Sequence, residues 1–171
     1  MPRVPELELA VSATTRERRA GEEDGREYYF VEDAAFQRLV DAGDFLEHVD
    51  FEWGQRVGTL WSEISRIRAK GKAPLLDLET DGALAVQREI ADSVTIFVRA
   101  PSFEELERRL RSRATEAGGE IDQRLERARS QLDQAGEFDY VIVNDDVARA
   151  AAELLAIVQR ELEAAGTMTR P

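Results

Sequence analysis

The sequence predicts an α/β fold: a parallel sheet core with helices on both faces, one small α+β insertion and a helical pair. Three observations predict it. Short apolar runs at Leu9 to Ala13, Pro74 to Leu78, Val94 to Val98 and Tyr140 to Asn144 read as buried strands. Near-continuous β-branched and leucine runs fit a parallel sheet covered on both sides. The stretches between them read as helical. The segment from 28 to 58 alternates instead, which marks an antiparallel, half-exposed sheet inserted between the first two core strands.

Each helix has its own signals. The one at 33 to 42 starts at Asp33, an N-cap type, and stops at Gly43. Residues 60 to 70 put Leu60, Ile64 and Ile67 on one face and stop at Gly71. Ser102-Phe-Glu-Glu105 is a capping box after Pro101, continued by Leu106 and Leu110. A further helix is predicted over 120 to 135. The last runs from Asp145 to about Ala165, with Leu154, Leu155, Ile157, Val158 and Leu162 turned inward. In the insertion, Tyr28 to Val31 and Phe45 to Trp53 read as strands around a helix.

Composition limits the function. With 171 residues the chain can bury a sizeable core. It has no cysteine, which excludes disulfides and thiolate chemistry, and His48 is its one histidine. A net charge of −12 opposes nucleic-acid binding. No apolar run reaches the roughly 18 residues of a membrane span, and the N-terminus is unlike a signal peptide. A cytoplasmic protein with neither nucleic-acid nor membrane partner is expected. Lys70 and Lys72 are the only lysines among 23 basic residues; the rest are arginines.

The stretch Ser12-Ala-Thr-Thr-Arg16, followed by Arg19, Gly21 and Glu22, leaves a strand end. Hydroxyls and arginines at that edge suit a phosphate, since open α/β sheets bind ligands there. The same stretch also reads as a polar loop with exposed arginines. Asp77 and Glu79 end the run Leu75-Leu-Asp-Leu-Glu79; they are either paired in the interior or past the strand end in water. Glu104/Arg108, Glu105/Arg109, Glu107/Arg111 and Glu120/Arg124 are i,i+4 pairs that support helices, whereas Arg113 has no acidic residue four positions earlier.

Ser12-Ala-Thr-Thr-Arg16, Arg19-Ala-Gly-Glu22, Asp24-Gly25, Tyr28-Tyr-Phe-Val31, Gly43-Asp-Phe-Leu-Glu47, Gly58-Thr59 and Val143-Asn-Asp-Asp146 together resemble guanylate kinase, in order and in spacing. Only the gap between Glu47 and Gly58 is slightly longer. The resemblance runs from Val4 to Glu163. It implies a P-loop-kinase-like domain over 1–171, with a core at 1–27, 72–101 and 136–165. A GMP-binding lobe at 28–71, a lid at 102–135 and a tail at 166–171 complete it. The implied reaction is ATP-dependent phosphorylation of GMP or dGMP to GDP in purine metabolism, with Mg²⁺. Ser12, Arg16, Arg19 and Tyr28 would hold the GMP phosphate. Glu47 would read guanine, with Thr59 beside the base. Asp77, in a catalytic role, and Glu79, on the GMP side, would face the nucleotides and the Mg²⁺ water shell. Arg109, Arg113 and Arg124 would clamp the ATP phosphates and the transferred group, and Asn144 would lie near adenine. His48 is expected to be structural. The oligomeric state has no signal.

The departures concern ATP. Nothing matches G-x-x-x-x-G-K-[ST]; Gly71-Lys72 is followed by Ala73. The expectation is that roughly 20 to 30 family residues, comprising the central strand, P-loop and first helix, precede Met1. On that expectation the 171 residues alone would turn over negligibly; the alternative is a binding module for GMP or a phosphorylated partner. Val57 stands where the family has tyrosine, Ala114 where it has glycine, and Asp81 where it has glutamine.

Overall fold

The computed structural model describes residues 4–113 and 118–166, the side chains at 113 and 118–120 excepted. Two compact units divide it, the first reaching to Ile90 and the second spanning Ala91–Ala164.

The first unit holds two sheets. β1 (Leu7–Leu9) leaves the N-terminal segment, and β2 (Ala13–Thr14) and β3 (Tyr29–Phe30) follow. Helix α1 (Asp33–Ala42) leads to β4 (Phe45–Asp50) and β5 (Arg56–Leu60), then α2 (Trp61–Arg68), β6 (Ala73–Leu75) and α3 (Thr80–Glu89). β1 and β6 form a parallel pair, with Leu7 opposite Ala73. The second sheet has the order β3-β2-β5-β4. Its β4–β5 and β2–β5 pairs are antiparallel, and both depend on β5, which is not among the expected strands. β3 departs from that: it runs parallel to β2, and Tyr29 N–H donates to Ser12 O at 2.9 Å. The core is Leu7, Ala13, Phe36, Val49, Ile64, Ile67 and Leu84.

The second unit is simpler. β7 (Ile96–Arg99) and β8 (Tyr140–Val143) form a parallel pair, and β7 is followed by α4 (Phe103–Arg113) and α5 (Gly118–Asp133). Helix α6 (Val147–Ala164) lays Ala150, Leu154 and Ile157 against Ile96, Tyr140 and Ile142. Among the described residues, β6 has β1 and β7 has β8 as its one hydrogen-bonded neighbour.

Several boundaries move. The run Leu9 to Ala13 is not one strand. It is the crossing between two sheets, so β1 ends where the strand was expected to start. The run at Pro74 to Leu78 stops at Leu75, which leaves Asp77 and Glu79 beyond the strand. The N-cap of α1 is Glu32, without a side-chain cap bond, and Asp33 is the first helical residue. Gly43 closes α1 at φ 71°, a left-handed conformation that suits glycine. Ser102 Oγ accepts Glu105 N–H at 3.2 Å, but the Glu105 carboxylate turns to Arg108 and Arg109 instead of completing the box. Asp146 caps α6 through Arg149 N–H at 2.8 Å.

Candidate functional site

The four-stranded sheet with its flanking loops and the segment between β6 and α3 leave a cavity of about 190 Å³ lined by Ser12, Arg16, Tyr28, Glu47, Asp77 and Glu79. Its lining includes a buried carboxylate. Glu47 sits on β4, next to a glycine on β5 that lets the strands approach closely: a Cβ on Gly58 would lie 2.7 Å from Glu47 O. Its carboxylate accepts the Thr59 N–H at 2.9 Å and is 7% exposed. Burial raises its pKa above the ordinary carboxylate value, with the Thr59 bonds opposing. The first turn of α3 closes over it, because a Cβ on Gly82 would lie 2.6 Å from Glu47 Oε2.

The lining also includes a cation, Arg16. Arg16 follows β2 and is anchored from three sides. Its Nη2 meets Glu22 Oε1 at 2.7 Å, and its Nη1 donates to Glu17 O at 2.7 Å. The guanidinium also lies 5.4 Å from the Tyr28 ring centroid and 5.6 Å from that of Phe30. Glu22 additionally accepts Arg19 N–H at 2.8 Å, and the Arg16 contact pulls its carboxyl below the usual range. Thr14 Oγ1 accepts Arg16 N–H at 3.2 Å and donates to Arg56 O at 2.8 Å, tying the loop to β5. Ser12 Oγ lies 3.4 Å from Thr59 Oγ1. A ligand that carries both an anionic group and paired N–H donors matches this lining.

Ser12, Arg16, Tyr28, Glu47, Asp77 and Glu79 are thus brought together, and Thr59 bonds Glu47 from behind. Arg19 is different: its side chain is exposed and does not line the cavity. Asp77 is exposed in the loop before α3, and Glu79 is the residue preceding that helix. Sequence reasoning missed Thr14, Phe51, Gln55 and Leu78 on the lining. Period-2 spacing along β5 was the available signal for that strand, but Gly58 interrupts its apolar pattern. Val57 is also on the lining. His48 packs against the rings of Phe36 and Phe45.

In the second unit Arg109 donates from Nη1 to Asn144 O at 3.0 Å and from Nε to Glu105 at 2.7 Å. Arg109 and Asn144 are therefore in contact, and the Asn144 side-chain oxygen is buried with no hydrogen-bond partner among the described residues. Arg124 lies half-buried on α5. The side chain of Arg113 and the Ala114-Thr115 pair lie outside the described residues.

A family model described as guanylate kinase matches residues 5–161. Guanylate kinase of Chromobacterium violaceum is 41% identical over 157 residues, covering 92% of this chain and 74% of that protein. Guanylate kinase of Synechococcus sp. is 45% identical over 152 residues, covering 89% and 80%. The crystal structure of guanylate kinase from Anaplasma phagocytophilum superposes with a TM-score of 0.77 at 30% identity, covering 94% of this chain and 78% of that one.

Proposed function

The chain belongs to the guanylate kinase family, and from that premise we propose that the cavity of its first unit is the GMP site. The family reaction moves a phosphoryl group from ATP to GMP, giving ADP and GDP, and needs positioning and charge neutralisation more than covalent help. Glu47 accepts from guanine N1–H and the exocyclic amine together, a donor pair that adenine lacks. Arg16, with Ser12 and Tyr28, neutralises and orients the phosphate, and Arg19 joins only if its exposed side chain swings inward. Asp77 and Glu79 are oxygen donors lining the same cavity, a chemistry that suits the water shell of Mg²⁺. Bound Mg²⁺ would offset charge on the phosphates. In the second unit Arg109, Arg113 and Arg124 are proposed for the ATP phosphates and the transferred group, and Asn144 for the adenine side.

The observation that carries the reading is Glu47, a buried carboxylate held by Thr59 N–H and lining the same cavity as Arg16. Calorimetry tests it. The chain is expected to bind GMP and to reject AMP, and Glu47→Gln is expected to narrow that preference by about tenfold or more. A wild-type chain giving no heat with GMP at millimolar concentration would overturn the reading.

A further inference from the structure

Outside the cavity, one buried carboxylate stands behind the phosphate-facing wall. Glu63 on α2 is 3% exposed. It accepts Val11 N–H at 3.0 Å, Tyr29 O–H at 3.3 Å, and both Nε and Nη2 of Arg66 at 2.9 and 2.5 Å. Arg66 in turn reaches Glu8 on β1 at 2.5 Å. A buried charge is costly unless it is paired and bonded, and this one is both.

Its position explains what it does. Residues 10–12 cross from one sheet to the other and belong to no ladder. The crossing is held at separate points: Ala10 N–H by Leu75 O at 2.8 Å, Val11 N–H by Glu63, and Ser12 O by Tyr29 N–H. Glu63 bonds the residue just before Ser12 and the residue just after Tyr28. Ser12 and Tyr28 line the cavity, while Glu63 does not.

We infer that Glu63 is a positioning residue for Ser12 and Tyr28, two of the residues proposed to hold the phosphate, setting the Val11–Ser12 crossing and the Tyr28–Tyr29 segment against one another. The inference rests on the GMP-site reading above. Guanosine, which lacks the phosphate, is the internal control. Glu63→Gln keeps one acceptor but loses the charge that draws Arg66, and Tyr29→Phe removes a single bond and leaves the charge.

The test compares GMP and guanosine binding by ligand-observed NMR for the wild type and both variants. Glu63→Gln is expected to weaken GMP binding about tenfold and Tyr29→Phe about threefold, with guanosine unchanged within about twofold. Parallel losses for GMP and guanosine, or no loss of either, would mean a merely structural carboxylate and would sink the inference. Should Glu63→Gln not fold, Tyr29→Phe decides alone: a GMP-specific loss supports the inference and unchanged binding ends it. A wild type that fails to bind GMP removes the site reading and the inference together; a binding wild type with unaffected variants removes the inference only.

Discussion

Glu47 shows how far a single residue can be read without its surroundings. In the sequence alone it looks like an ordinary surface glutamate, and only the resemblance singles it out. Gly82, distant in sequence, lets α3 approach its carboxylate, and Gly58 lets β5 approach its backbone. Gly82 lies in α3 without a positive φ, so its small size is required by the approach to Glu47 and not by backbone strain. Gly82→Ala is therefore expected to gain helix propensity, roughly 0.5 to 1 kcal/mol, while displacing the Glu47 carboxylate. Loss of the buried Thr59 N–H bond to Glu47 opposes that gain, so thermal melts should show an unchanged or somewhat less stable fold. GMP binding should lose its margin over AMP by about tenfold. A variant with full guanine preference would show that the carboxylate has room to move.

At the scale of elements, helices were more legible than strands. α1 matches its predicted bounds because an amphipathic run ending in Gly43 has one reading. α3 was covered only by the general expectation of helix between strands, since Asp81 and Gly82 blur its first turn. β5 was missed because Gly58, needed for the close approach of β4, looks like a breaker. β1 and α2 are joined by charge: Glu8 takes Arg66, Lys70 at 2.8 Å and Lys72 at 3.3 Å. These bonds, that of Lys70 foremost, lower its pKa from 4.5 to about 2. A carboxyl depressed by folding stabilises the fold above its unfolded pKa, and the benefit disappears as pH falls through the folded one. The stability difference between wild type and Glu8→Gln should thus be full above pH 4.5 and fade towards pH 2. Denaturant melts across that window, repeated in high salt to screen the exposed cations, measure it. A difference that does not vary with pH would show that the ion pairs contribute nothing.

For the whole molecule, two features oppose one another. Parallel strands are ordinarily covered on both faces. Here Val98 on β7 and Val141 on β8 are 51% and 41% exposed, and β7 has β8 as its one neighbour among the described residues. An apolar strand with an open edge favours pairing between copies. The net charge of −12 keeps copies apart. Self-association is therefore expected to increase with salt and on approaching the pI of about 4.7, as measured by light scattering. Val98→Lys should suppress it; equal scattering for wild type and variant would place the contact elsewhere.

The three cations gathered on Glu8 include every lysine the chain has. Lysine-directed chemistry on these 171 residues therefore has one target, that cluster. A dye, crosslinker or acyl group coupled through lysine would land on the β1–α2 junction and strip cations from Glu8 as it did so. Labelling this chain through its lysines is at the same time a perturbation of its stability at neutral pH, where the Glu8 ion pairs contribute in full.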